Sequence, residues 1–243
     1  MLGVLLLPLA RLRRLRSWAE VKTQVSNPKM VNRANIGCGQ TPTEGWWNFD
    51  SSLSVRLARP KLIMSALNVI RLASDESVRF AGVARQKGIR WANACKRIPL
   101  PNKSLEMVYS SHVLEHLDSS EAERFLAEVH RVLRPGGIIR LALPDLRRRA
   151  EKYMADGDGD GFMESLNMRE YSVRSLRTKL RILIVGDREH RWMYDSRSLI
   201  RLLEKARFAD AREMAPGETM IPDPGPLNLH ERQEESIYVE ARR

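Results

Sequence analysis

Two cysteines, Cys38 and Cys95, stand in a chain of 243 residues. So few exclude a disulfide-rich scaffold and a four-cysteine zinc site, and they fit a reducing compartment. Long apolar runs are also missing: no segment approaches the roughly 20 apolar residues that span a bilayer. The apolar stretch Met1 to Ala10 is too short, and its arginines (Arg11, Arg13, Arg14 and Arg16) come after it. A secretory signal carries positive charge before its apolar run and small residues after it, so the segment reads as retained. Phe, Trp and Tyr make up 6% of the chain, and no aromatic-rich basic stripe or known nucleic-acid module appears. No internal repeat is evident.

What is present is enough for one α/β domain: 43% of residues are hydrophobic and 29% charged. The net charge of +11 is not spread evenly. Residues 1–29 carry net +5 and residues 53–105 net +9, while 30–52, 106–146 and 147–243 carry −1, −3 and +1. A uniformly basic scaffold is thereby excluded, and a localised surface facing an anionic partner fits.

In residues 1–20, Leu2, Leu5, Leu6, Leu9, Leu12 and Leu15 fall at near-helical spacing with arginines between them. Two readings suit this amphipathic helix: a membrane-surface or partner-binding element, or a helix packed on its own domain. Strands are expected at Val31–Ile36, Trp46–Asp50, Ile89–Ala94, Leu105–Ser111 and Ile138–Leu143, and near the end at Asp210–Met214 and Ser236–Ala241. Val55–Ile70 reads as helical with a break at Pro60, and Ser74 opens a second helix ending near Gly88. A third helix opens at Asp118, where Ser120 with Glu123 fits a capping box. Ala122, Phe125, Leu126, Val129, Val132 and Leu133 give it one apolar face, and Pro135-Gly136-Gly137 ends it. Residues 146–185 read as mainly helical, and Asp195 caps a last helix. Strands alternating with helices predict a mostly parallel sheet with helices on both faces, and the final helix–strand–strand adds an antiparallel strand. No metal site is read from the sequence. Asp156 to Gly161 alternates acids as a calcium loop does, but position twelve is Asn167 rather than Glu, so the stretch reads as a solvated loop.

The chemistry concentrates after the first strand, at Asn35-Ile36-Gly37-Cys38-Gly39-Gln40. Glycines there let backbone N–H groups approach a ligand at the carboxyl end of a parallel sheet. The third glycine of the dinucleotide fingerprint is absent, since Pro42 stands in its place, and this argues against NAD. Asp50 ends the second strand, where a carboxylate suits a ribose diol or serves as a turn residue.

These stretches resemble a class I S-adenosylmethionine-dependent methyltransferase of the methyltransferase-11-like group. The resemblance rests on Asn35 to Gly39, Gly45 to Asp50, Ala94 to Leu117 (including Ile98-Pro-Leu-Pro and His112-Val-Leu-Glu-His-Leu117) and Arg131-Val-Leu-Arg-Pro-Gly-Gly137, in that order. It implies a Rossmann-like class I methyltransferase fold with a mostly parallel seven-stranded sheet, built by residues 31–243 behind a basic amphipathic extension over 1–30. It also implies S-adenosyl-L-methionine as cofactor. Gly37 and Gly39 would lie under its methionine and ribose parts, and Asp50 would bind the ribose hydroxyls. Asn93 and Ala94 would flank the adenine, and Ser111 and His112 would line the floor near the sulfonium. Asn35 stands where many relatives carry an acid. Only ten residues separate Gly39 from Asp50, too few for the usual helix, so a loop at Gln40–Gly45 is expected. The pocket wall on that side would then come from residues 1–30 or 53–87.

Methyl transfer from a sulfonium is an in-line displacement in which positioning supplies much of the acceleration. A base is needed only if the acceptor must lose a proton. Candidates are His112, His190 and Asp145, each with a plainer alternative: His112 a polar residue at a helix start, His190 part of a core-sealing loop with Trp192, and Asp145 a helix cap. Met163 and Met168 need no role beyond packing, and Arg147-Arg148-Arg149 reads as a solvated helix face. The expected activity is methyl transfer to a small-molecule, sugar or lipid-linked acceptor, of anionic character if the charged blocks face it. The alternatives are an RNA methyltransferase and a non-catalytic cofactor-binding protein. After the fourth strand the chain reads Ser110-Ser-His-Val, not the Asn/Asp-Pro-Pro-aromatic motif of many base methyltransferases. A cytoplasmic place, with peripheral membrane contact through residues 1–20, fits these readings.

Overall fold

The computed structural model describes residues 31–58, 61–69, 73–168 and 189–243. The extension over 1–30, its amphipathic helix and the break at Pro60 lie outside the described residues, as does most of the helical stretch expected beyond Met168.

Seven strands form one sheet: β1 (Arg33–Ile36), β2 (Trp47–Asp50), β3 (Arg90–Trp91), β4 (Leu105–Ser111), β5 (Leu133–Pro144), β6 (Ala209–Met214) and β7 (Ser236–Arg242). Their spatial order is β3-β2-β1-β4-β5-β7-β6. β1 pairs in parallel with both β2 and β4, and β4 with β5. β7 is antiparallel to both β5 and β6. The strand order therefore reverses between β1 and β4, and ligands of open α/β sheets bind at such a switch, beyond the carboxyl ends of the strands. This is the expected Rossmann-like sheet with its C-terminal antiparallel strand.

The core follows from side-chain alternation along the strands. Ile139, Leu141 and Leu143 of β5 and Ile237, Val239 and Ala241 of β7 face one side. There they meet Phe125, Leu126 and Val129 of α4 (Ser119–Val132), and Leu199 and Leu203 of α7 (Ser196–Lys205). Ile138, Ala142 and Tyr238 face the other side, where the cover is Trp46 with Ile221 and Leu227 from the non-helical segment before β7. A third cluster unites Cys38 with Val55 of α1 (Leu53–Arg56), Met64 of α2 (Lys61–Val69) and Ala81 and Ala84 of α3 (Asp75–Gln86). These short helices, from the 53–87 region, are what backs the glycine turn.

Several local expectations are corrected. The capping box of α4 uses Asp118 and Glu121, two residues earlier than Ser120 and Glu123. The third strand contracts to two residues, because Asn93 starts a turn in which its carbonyl accepts the N–H groups of Lys96 and Arg97. Pro135-Gly136-Gly137 does not separate helix from strand. It is a bulge within β5: Leu133 pairs Leu105, and the next pair is Ile138 with Met107. Asp156 to Gly161 is exposed as expected and also joins two helices. Gly157 takes the left-handed cap of α5 (Leu146–Asp156), and Asp158 caps α6 (Gly159–Leu166). Arg149 is not on a solvated face: its guanidinium is mostly covered and bonds the Ser165 carbonyl, tying α5 to α6. Trp192, Met163 and Met168 are exposed rather than packed; Tyr194 is the aromatic that seals the core.

Candidate active site

The turn after β1 is built by two glycines with left-handed φ, Gly37 at 74° and Gly39 at 50°. The N–H groups of Gly37 and Cys38 both bond the Phe49 carbonyl, at 2.8 and 3.1 Å, which locks the turn onto β2. A Cβ on Gly37 would lie 2.2 Å from Val113 Cγ2, so the residues after β4 close against this turn with no room for a side chain. A Cβ on Gly39 would meet nothing within 4 Å, so that glycine faces open space. Cys38 points the other way. Its burial, with the Asp50 charge adding to it, pushes the thiol well above its usual range.

Asp50 closes the constellation. One carboxylate oxygen accepts the Gly39 N–H at 3.2 Å and the other accepts the Ser52 N–H at 2.8 Å. A carboxylate has about four lone-pair sites, so two remain for hydroxyl donors. The free space at Gly39 and the spare acceptors of Asp50 suit the ribose of S-adenosylmethionine.

Asn35 is buried and works on the loop. Its Nδ2 donates to Thr43 Oγ1 at 3.0 Å and to the Thr41 carbonyl at 3.4 Å. Asn48 completes the clamp, accepting from Thr43 N and donating to the Thr43 and Trp46 carbonyls. These two amides hold Gln40–Gly45 as the expected loop in place of a helix. Asn93 sits half-buried beyond β3, its Oδ1 accepting from Cys95 N at 3.0 Å, and Ala94 beside it is buried.

The opposite wall rises from the end of β4. Ser111 is half-buried, and His112 follows in a left-handed conformation, φ 52°, rare for a non-glycine residue. Its N–H bonds the Ala142 carbonyl, its Nε2 lies 3.1 Å from Ser236 Oγ, and its Nδ1 lies 3.2 Å from Glu115 Oε1. Asp145 caps α5 through Arg147 N, and burial raises its pKa against the pull of the Arg147 and Arg148 N–H groups. His190 reaches the same region through a bridge between Met168 and His190, and Tyr194 lies beside Asp145. Burial lowers the pKa of His190, and burial with the nearby Glu115 charge pushes that of Tyr194 up to about 12. Thus Gly39 is joined directly to Asp50 and Gly37 to the preceding Phe49, whereas His112, Asp145 and His190 lie beyond β4 and β5. Sequence reasoning passed over Glu115, a buried carboxylate within reach of His112 and His116. Its signal was an acid framed by two histidines in an otherwise apolar stretch.

The strand order and the glycine turn beside Asp50 fit the fold and cofactor loop that the sequence resemblance implies. Residues 65–141 match the family model described as a methyltransferase domain. The match covers about a third of the chain and lies in the stretch that holds β3, β4, α4 and most of β5. No curated protein matches the chain. Among solved structures it is similar to an S-adenosylmethionine-dependent methyltransferase of Thermotoga maritima, with 19% identity over 92% of this chain and 86% of that one, TM-score 0.42. One from Methanosarcina mazei gives 16% identity over 87% and 91%, TM-score 0.43. Another from Mesorhizobium loti gives 18% over 93% and 97%, TM-score 0.42.

Proposed function

We propose that this chain is an S-adenosylmethionine-dependent methyltransferase that modifies a small-molecule, sugar or lipid-linked acceptor entering over the carboxyl ends of β4 and β5. The observation that carries the reading is the Asp50–Gly39 hydrogen bond at the β1–β4 switch, beside a turn whose Gly39 faces open space. When bound, S-adenosylmethionine supplies an electrophilic methyl group on a sulfonium. Asp50 accepts its ribose hydroxyls, Gly37 and Gly39 let it lie against the backbone, and Asn93 and Ala94 flank its adenine. Ser111 and His112 form the floor on which the acceptor rests. Asp145 and His190 border the acceptor from the β5 side. Both nitrogens of His112 already face Ser236 and Glu115, which suits a residue that orients an acceptor more than a freely exchanging base.

The charge distribution favours an anionic acceptor. Two cations of the 53–105 block are already stacked on tryptophans, Arg56 on Trp91 at 5.0 Å and Arg90 on Trp47 at 4.2 Å. The remainder of the 53–105 block carries the positive charge on which this reading draws. No helix among the described residues is long and apolar enough to cross a membrane. Contact with an anionic membrane surface is assigned to residues 1–20.

The test is methyl incorporation from labelled cofactor into cell extract split into small-molecule, lipid, RNA and protein fractions. Label in the small-molecule or lipid fraction is expected. Label confined to RNA would overturn the acceptor assignment, and failure of the chain to bind S-adenosylmethionine by calorimetry would remove its basis. Retention on anionic vesicles that survives deletion of residues 1–20 would remove the membrane role of that segment.

A further inference from the structure

Glu115 is 1% exposed, and neither carboxylate oxygen makes a hydrogen bond. His112 Nδ1 lies 3.2 Å from Oε1 without forming a hydrogen bond, and a buried carboxylate with no hydrogen bond calls for a cation or a proton. Two further imidazoles near it are prepared in the same way as each other. His116 Nδ1 lies 3.0 Å from the Glu189 carbonyl, and His190 Nδ1 lies 2.8 Å from the Leu166 carbonyl. A carbonyl only accepts, so each Nδ1 carries a proton, and in the neutral imidazole this leaves Nε2 as the nitrogen with a lone pair. Metal-ligating histidines are oriented by this device, the second nitrogen tied to a carbonyl or carboxylate.

The three residues converge. His116 Nε2 is 4.0 Å from Glu115 Oε1, the two imidazole rings are 5.2 Å apart, and one donor atom from each of Glu115, His116 and His190 lies within 4.8 Å of the others. The frame is held on both sides. The Glu115 carbonyl accepts the N–H groups of Arg191 at 2.7 Å and Trp192 at 3.1 Å, and His190 N–H bonds the Asn167 carbonyl at 2.8 Å. Zinc ligands bind at about 2.0–2.2 Å and sit roughly 3.3 Å apart in a tetrahedron, so the donors would draw in by about 1 Å onto an ion.

We propose that Glu115, His116 and His190 bind one divalent transition-metal ion of the zinc type. Two imidazoles and a carboxylate suit borderline ions and not calcium or magnesium, which prefer all-oxygen shells. With three protein ligands, a fourth position stays open for water or for an oxygen of the acceptor. Glu115 also lies beside His112, which puts this ion on the acceptor side of the pocket. The assignment goes beyond methyl transfer, and its test needs neither cofactor nor acceptor.

The untagged full chain, stripped with chelator and dialysed, is titrated with Co²⁺ as a spectroscopic probe. One equivalent should bind with visible d–d absorption, be displaced by Zn²⁺ and raise the melting temperature. Second-sphere losses alone weaken metal sites by about 10–100-fold, so removing a ligand should cost at least that. Glu115→Gln, His116→Gln and His190→Asn should each lose the cobalt spectrum. Where Glu115→Gln disturbs folding, His116→Gln carries the test, because His116 is the partly open member and circular dichroism can verify its fold. Absence of stoichiometric binding by the wild type would overturn the proposal. Unchanged binding in His116→Gln and His190→Asn would do the same, by placing the ion elsewhere. Loss of S-adenosylmethionine binding with cobalt binding intact would count against the cofactor site and leave this one standing.

Discussion

The Asp50 carboxylate accepts the backbone N–H of Gly39 at 3.2 Å, so the acid that ends β2 holds the turn that ends β1. One side chain thus shapes the turn and, in the proposed site, offers acceptors to the ribose diol. Asp50→Ala removes both functions. Charge-assisted hydrogen bonds contribute about 1.5–3 kcal/mol each, so affinity for S-adenosylmethionine should fall by roughly 10–150-fold. Asp50→Asn keeps one acceptor oxygen and should fall less. Calorimetry on the three proteins measures this, and equal affinities would remove Asp50 from the cofactor site.

Gly37 and Gly39 make opposite predictions although they are two residues apart. A methyl group on Gly37 would sit 2.2 Å from Val113 Cγ2, and its φ of 74° is left-handed. Gly37→Ala should therefore lower stability by about 2–5 kcal/mol, overpacking plus the cost of its φ, with Val113→Ala recovering the overpacking part. Gly39→Ala meets no atom within 4 Å and carries only the cost of its φ, about 1–2 kcal/mol. Its added methyl projects into the space assigned to the ligand, so its larger effect should be on cofactor affinity. Urea midpoints and binding constants for both variants separate the two outcomes.

The strand positions and the glycine turn were legible because local signals carry them: apolar runs, a Gly37-Cys-Gly39 step and an acid one strand later. The α4 cap was misplaced because Asp118 and Ser120 are both good acceptors and glutamates stand three residues beyond each. Only backbone geometry selects the earlier pair. Pro135-Gly136-Gly137 reads as a strand boundary, yet the β4 register continues on both sides of it. The Glu115–His116–His190 grouping was invisible because His190 arrives 74 residues later, through backbone bonds to Leu166 and Asn167 that no spacing encodes. The loop replacing the usual helix was anticipated from length alone, but its holders, Asn35 and Asn48, required the side-chain bonds.

Glu128 makes a prediction about acid. Burial raises its pKa, but two bonds from Arg131, the Ile98 N–H at 2.8 Å and the nearby Arg97 outweigh this and hold it below the usual range. Because the folded pKa is depressed, the stabilisation is complete above the unfolded value of about 4.3 and is lost as pH falls through the folded value. Glu128→Gln should cost about 1–3 kcal/mol at neutral pH, and the difference from wild type should shrink below about pH 4. Urea unfolding at both pH values measures it, and a difference that stays constant with pH would mean the ion pair adds nothing.

Arg140 and Glu240 face each other across β5 and β7, both completely buried, with Nη1 2.6 Å from Oε1. The pair does more than neutralise itself. Arg140 also donates to the Glu218 and Leu229 carbonyls, while Glu240 accepts from Thr219 Oγ1 and Met220 N. Together they fasten residues 218–229 across the sheet face that has this segment, not a helix, as its cover beside β5 and β7. Removing one partner of a buried pair typically costs about 3–5 kcal/mol, because the other charge is left behind. Glu240→Gln should incur that cost and also release the covering segment, seen as faster amide exchange at Thr219, Met220 and Ile221. Arg140→Met should be similarly destabilising, yet the double variant should lose less than the two single losses combined, since no lone charge remains. Strictly additive losses would show that each side chain is stabilised by its backbone partners alone.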